Sequence, residues 1–250
     1  MPAVKELRYF AYDRENPYHV RANSYRVKTF SEYLRHFEKC GNAKAIGEAS
    51  PNYLRSPGAA KRIKAELPDV RLIACLRNPA DRLYSGYMMN YREGSTTRSF
   101  DEELFGRDAA WIKARFYWLD LKQYFDLFAR SQIRIVLFDD LKADAAAVVK
   151  DLYRFLEVDD AFAPDLTVQN EGGIPRSLLW YTIFARGKNL LRRFGPPPTV
   201  LKQLSKKIER RSLQKTQIDP QIRKKILEIC QDDIQRTQEL IGRDLSAWLR

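Results

Sequence analysis

Nine consecutive residues, Arg77-Asn78-Pro79-Ala80-Asp81-Arg82-Leu83-Tyr84-Ser85, combine a guanidinium, a helix-start signal and a hydroxyl in an order suited to gripping a phosphate. Asn78, Arg82 and Ser85 recur at helical spacing, so a guanidinium just ahead of a helix and a hydroxyl about two turns into it can converge on one group. Arginine supplies paired charge-assisted hydrogen bonds to phosphate oxygens, typically about 1.5–3 kcal/mol each, while serine adds a neutral donor and the helix N-terminus a favourable dipole. Spacing alone leaves a plainer alternative open, in which Arg77 and Asp81 form a surface salt bridge and Ser85 is a helical serine with no task.

The rest of the composition narrows the chemistry. The two histidines, His19 and His36, form no pattern with cysteines or closely spaced carboxylates, so a histidine-activated nucleophile and metal-assisted hydrolysis are poorly supported. An acid or base is therefore expected to be a carboxylate. Cys40, Cys75 and Cys230 are odd in number and far apart, which implies neither a disulfide framework nor a zinc site and fits a reducing, cytoplasmic setting. The formal net charge of +12 biases the 250-residue chain towards anionic partners. Its basic stretches, Arg186 to Arg193 and Lys202 to Arg211, read as solvated helix faces rather than as a specific nucleic-acid site. No apolar stretch approaches the roughly 20 residues that span a bilayer.

The positioning elements follow from pattern. Val70 to Leu76 is almost continuously apolar, as expected for a parallel strand buried on both faces, and Asn78 and Pro79 are placed to cap and open the next helix. Arg77 thus falls at the carboxyl end of a buried strand, where open α/β sheets receive anionic ligands. Ile133 to Phe138 supplies a second strand, and Lys44 to Ala49 reads as a brief one. Helices are expected after the Thr29–Glu32 capping box, from Ser56-Pro57 to Leu67, from about Trp111 to Ala129, from Ala143 to Leu156 and from Asp219-Pro220 to Gly242. Alternating strands and helices predict one three-layer α/β domain, a parallel sheet flanked by helices, with residues 175–250 as its helical C-terminal part.

The Arg77–Ser85 segment resembles the 3′-phosphate-binding signature of sulfotransferases that use 3′-phosphoadenylyl sulfate (PAPS), in the bacterial and heparan-sulfate-type branch. Lys5-Glu6-Leu7-Arg8-Tyr9-Phe10, Gly47-Glu48-Ala49-Ser50-Pro51-Asn52-Tyr53-Leu54, Ser99-Phe100-Asp101-Glu102 and Gly242-Arg243-Asp244-Leu245-Ser246-Ala247-Trp248-Leu249 extend the likeness in order and spacing. The resemblance implies a P-loop NTPase-like fold and sulfuryl transfer from PAPS, without a metal, to a hydroxyl or amine acceptor, with a saccharide or lipid among the candidates. It implies that Arg77 and Ser85 hold the 3′-phosphate, that Arg176 contacts the nucleotide from the loop Asn170 to Ser177, and that Glu6 is the general base.

Two departures stand out. Ala49 occupies a position where heparan-type members carry lysine, which unsettles substrate contacts around Glu48 to Tyr53; Tyr53 then reads as a core residue with a satisfied hydroxyl. Members of the family begin with a strand and a phosphate loop that cradles the 5′-phosphosulfate, and no later segment here supplies one. The expectation is therefore that the sequence starts at an internal methionine of a longer enzyme. A phosphate-loop kinase and a catalytically impaired nucleotide- or polyanion-binding module are the competing readings.

Overall fold

The computed structural model describes residues 2, 4–11, 27–105, 112, 116–167, 173–175, 213–214 and 216–250. In chain order its elements are α1 (Phe30–Arg35), α2 (Ala59–Glu66), β1 (Leu72–Leu76), α3 (Pro79–Arg92), α4 (Phe100–Phe105), α5 (Trp118–Phe125), β2 (Ile133–Leu137), α6 (Phe138–Ala143), α7 (Ala145–Phe155), β3 (Ile174–Pro175), β4 (Leu213–Gln214) and α8 (Pro220–Ile241), with short 3₁₀ turns between. They fall into two compact units. The first comprises 1–77, 117–166 and 235–244, the second 78–116, 167–234 and 245–250.

In the first unit β1 and β2 pair in parallel, from Leu72 opposite Ile133 to Leu76 opposite Leu137. Leu72 and Ile133 pack on a largely aromatic cluster that includes Phe10, Tyr33, Ile63, Tyr124 and Phe128. On the other face Arg134 lays its guanidinium over the Phe155 ring of α7, 5.1 Å from its centre. Helices thus flank both faces of the parallel pair, the α/β arrangement that the alternating pattern predicts. Coverage is uneven, because Ile73 (44% exposed) and Cys75 remain open while Leu76 is fully buried. An apolar run cannot by its period separate a strand buried on one face from one buried on both.

Local chemistry explains the helix boundaries. Thr29 Oγ1 accepts from the Glu32 N–H at 3.2 Å, and the Glu32 carboxylate accepts from the N–H groups of Thr29 and Lys28, completing the capping box of α1. Helix α2 begins two residues later than Ser56-Pro57 suggests, with Gly58 as its cap at φ 73°, a left-handed conformation open to glycine. The long helix expected from Trp111 is described only as α5, Trp118–Phe125; residues 113–115 lie outside the described residues. The helix expected over Ala143–Leu156 forms as α7, Ala145–Phe155; it starts two residues later because the Asp144 carboxylate accepts from the Ala147 N–H at 2.9 Å and caps it. Lys44 to Ala49 forms no strand and leaves Ile46 half exposed; it has no ladder partner among the described residues.

In the second unit Asn78 Oδ1 accepts from the N–H groups of Ala80 and Asp81, and Pro79 occupies the first position of α3. Asp219 caps α8 through the N–H groups of Gln221 and Ile222, at 2.8 and 3.2 Å. Ile226, Cys230 and Ile234 form its buried stripe, with Ile222 and Ile229 half-buried beside it. Strands β3 and β4 pair antiparallel, a feature that the sequence pattern does not announce. The basic stretches and most of the expected 175–218 helical region lie outside the described residues.

Candidate functional site

Strand β1 delivers Arg77 one residue beyond its last ladder pair, so the Arg77 N–H and C=O need partners outside the sheet. Both find the same one. The Arg77 N–H donates to the Tyr117 hydroxyl at 3.2 Å, and that hydroxyl donates to the Arg77 carbonyl at 3.1 Å. The guanidinium lies 4.9 Å from the centre of the Phe138 ring, and its Nε is buried with no hydrogen-bond partner among the described residues. Among the described residues no carboxylate pairs with Arg77. A buried, unspent guanidinium donor is an energetic liability of about 1–3 kcal/mol unless an acceptor arrives, and an anionic oxygen would remove it.

Asp81 does not pair with Arg77. Its carboxylate binds Arg223 of α8 at 2.6 Å, in place of the Arg77–Asp81 salt bridge that spacing left open. Ser85 is half-buried in the second turn of α3, within the second unit. Arg176 lies outside the described residues.

Asn78 does more than cap. It is 4% exposed, and its Nδ2 donates to the Trp248 carbonyl at 2.9 Å, tying the helix start to the terminal Gly242–Leu249 motif. Asn78→Ala removes both the cap and the bond to the Trp248 carbonyl. Stability is expected to fall by about 2 kcal/mol, read from urea unfolding midpoints.

The Lys5–Phe10 stretch builds a second cluster within the first unit. Glu6 and Arg8 have φ of 57° and 58°, left-handed values that cost a residue with a side chain of order 1–3 kcal/mol. Their neighbours hold them there. The Arg8 N–H donates to Ser50 Oγ at 3.1 Å, and Arg62 of α2 donates Nε and Nη2 to the Phe10 carbonyl at 2.8 and 2.6 Å. Arg8 binds Oε2 of Glu6 at 2.6 Å, and Oε1 has no hydrogen-bond partner among the described residues. Ser50 then donates to Oε2 of Glu48 at 2.7 Å, and the Tyr53 hydroxyl donates to Oε1 of the same carboxylate.

Tyr53 is half-buried and packs against the core cluster, with its ring packed and its hydroxyl satisfied as its pattern suggests. Its ring meets Phe10 edge-on at 5.6 Å, and Glu48 satisfies its hydroxyl. Burial, reinforced by that bond to Glu48, pushes the Tyr53 phenol far above its usual range. Burial does the same to Tyr33, next to Glu48, and to Tyr124, next to Asp120. In the second unit burial and Asp233 raise the Cys230 thiol to about 12. The folded state therefore retains protons that the unfolded chain releases from about pH 9–10 upward, and stability falls with rising pH in that window. The urea midpoint is expected to be level from pH 7 to about 9 and to drop steeply by pH 11; a level midpoint throughout would contradict these assignments.

The sequence singled out Arg77, Ser85 and Glu6, and gave Tyr117 and Arg8 no role. Tyr117 carries no local signal, since it meets Arg77 across 40 residues of chain. Among the described residues no group of histidines, cysteines and carboxylates could hold a metal.

The comparisons with known proteins bear on family and fold. The family model described as "Sulfotransferase family" matches residues 6–163, which include Glu6, Arg77, Ser85 and Tyr117. The chain is 40% identical over 68 residues to the membrane-associated sulfotransferase kil1 of Dictyostelium discoideum, a match covering 26% of this chain and 14% of that protein. It is 25% identical over 173 residues to the bifunctional heparan sulfate N-deacetylase/N-sulfotransferase 4 of Mus musculus, covering 63% of this chain and 19% of that protein. The matched regions are thus a small part of both relatives. The crystal structure of a sulfotransferase from Alicyclobacillus acidocaldarius superposes with a TM-score of 0.70 at 27% identity, over 100% of this chain and 87% of that one. With its α/β parallel sheet, its Arg77–Ser85 segment and a family match over most of its length, the chain belongs to the sulfotransferase family.

Proposed function

We propose that this protein transfers a sulfuryl group from PAPS to a hydroxyl or amine acceptor, a saccharide being the leading candidate and a lipid the second. One observation carries the proposal furthest: the Arg77 guanidinium leaves the carboxyl end of β1 with a buried Nε that has no hydrogen-bond partner among the described residues. An anionic oxygen fits that vacancy in its hydrogen bonding, and the 3′-phosphate of the nucleotide is the anion that the signature segment implies. Ser85 adds a hydroxyl to the same phosphate in this reading, and Arg176 adds a further cation.

Glu6 is the proposed general base. Arg8 fixes one of its oxygens, leaving Oε1 to take the acceptor proton as the new bond to sulfur forms and the bond from sulfur to the 5′-phosphate breaks. Adenosine 3′,5′-bisphosphate leaves. Positioning and cationic stabilisation of the departing phosphate supply the remaining catalysis, and the scheme calls on no metal. The three free thiols, Cys40, Cys75 and Cys230, fit a cytoplasmic setting, and no described helix is long and apolar enough to cross a membrane.

The proposal is tested by ligand-dependent melting. Adenosine 3′,5′-bisphosphate at about 100 times its dissociation constant is expected to stabilise the chain by about 2.7 kcal/mol, with no comparable shift from Mg-ATP. The reverse preference would support phosphoryl transfer. Strongly salt-dependent binding of polyanions, unaffected by substituting Arg77 and Ser85, would support a binding module without turnover.

A further inference from the structure

We infer that Tyr117 is the positioning residue of the Arg77 anion contact, its hydroxyl bonding both the N–H and the C=O of Arg77 and so setting the direction in which the guanidinium leaves the strand. The inference rests on the donor-site reading above and adds to it a residue that does not itself touch the nucleotide.

Arg77 follows the last ladder pair, Leu76 with Leu137, and precedes Asn78, the cap of α3. Its peptide groups therefore belong to neither the sheet nor the helix. A residue at such a junction can rotate about φ and ψ, and each rotation swings the Cα–Cβ bond and the guanidinium some 6 Å beyond it. A hydroxyl can donate one hydrogen bond while accepting another, so one side chain can hold both peptide groups of a residue. Tyr117 does so at 3.2 and 3.1 Å. It is 2% exposed and immediately precedes α5, so the ring has little freedom to follow a moving partner. Beyond Cβ, Phe138 provides a surface beneath the guanidinium at 4.9 Å, and the buried Nε remains unspent. Backbone clamp and aromatic surface hold the Arg77 side chain, whose buried Nε has no partner among the described residues, and such ordering lowers the cost of binding an anion.

The test uses isothermal titration of the 250-residue chain with adenosine 3′,5′-bisphosphate and with adenosine 5′-monophosphate, which lacks the 3′-phosphate. The unmutated chain is expected to prefer the bisphosphate. Arg77→Ala should reduce that preference about a hundredfold, and Tyr117→Phe, which removes one oxygen, about three- to tenfold, with monophosphate affinity unchanged. The double variant should be no weaker than Arg77→Ala alone, because Tyr117 acts through Arg77. A Tyr117→Phe chain with the full preference, or losses that add in the double variant, overturns the positioning role while leaving the donor site standing. An unmutated chain that does not distinguish the nucleotides overturns both.

A second measurement covers a Tyr117→Phe variant that folds poorly. Hydrogen exchange at the Arg77 amide of the unmutated chain is expected to be slow and to slow further with the bisphosphate. Exchange at the unprotected rate in both states would remove the clamp.

Discussion

Glutamine in place of Glu6 is expected to lower kcat for sulfuryl transfer by about 10²–10⁴-fold, while the dissociation constant for adenosine 3′,5′-bisphosphate changes by less than about twofold. The amide keeps the shape of the carboxylate and still offers an oxygen to Arg8, but it cannot accept the acceptor's proton. The effect belongs in kcat because proton transfer occurs only along the reaction, not in nucleotide binding. Turnover is read by transfer of radiolabelled sulfur. Glu48→Gln is the matched control. Both oxygens of Glu48 are engaged, by Ser50 and by Tyr53, so its loss should appear chiefly as a lower unfolding midpoint. Equal kcat losses from the two variants would assign proton acceptance to the cluster rather than to Glu6; an unimpaired Glu6→Gln enzyme would remove Glu6 from the mechanism.

The second large effect concerns Arg77. Arg77→Ala removes the guanidinium over Phe138 and, on the donor-site reading, two charge-assisted bonds to the 3′-phosphate. At about 1.5 kcal/mol each these amount to roughly a hundredfold in nucleotide affinity, measured by isothermal titration. Arg77→Lys should recover only part of the loss, since an ammonium carries the charge without the planar fork. Folding should change little or improve, because the substitution also removes a buried donor that has no partner among the described residues. Reduced affinity with an unchanged or raised unfolding midpoint therefore separates a binding role from a structural one. A large fall in stability with unchanged affinity would reverse the assignment.

Glu6 and Arg8 add a conformational element to these predictions. Two left-handed residues with side chains, separated by one position and held through Arg62 and Ser50, form a strained segment that its surroundings over-determine. That arrangement suits a base that must keep one oxygen fixed and the other available.

Short-range signals carried much of this protein in its sequence. The apolar run of β1, the Asn78-Pro79 helix start, the Thr29–Glu32 capping box and the Asp219-Pro220 to Gly242 limits of α8 are set by groups within a few residues of one another. The family was legible for the same reason, because its signature is a compact string from Arg77 to Ser85. Tertiary structure alone decided which distant groups meet: Tyr117 with Arg77, Trp248 with Asn78, Arg223 with Asp81. It also decided that Ile73 and Cys75 stay open on a strand whose pattern suggests burial on both faces. Periodicity and capping encode the conformation of a segment and which of its sides is apolar, but hydrogen-bond partners forty or more residues apart are selected only when the chain packs.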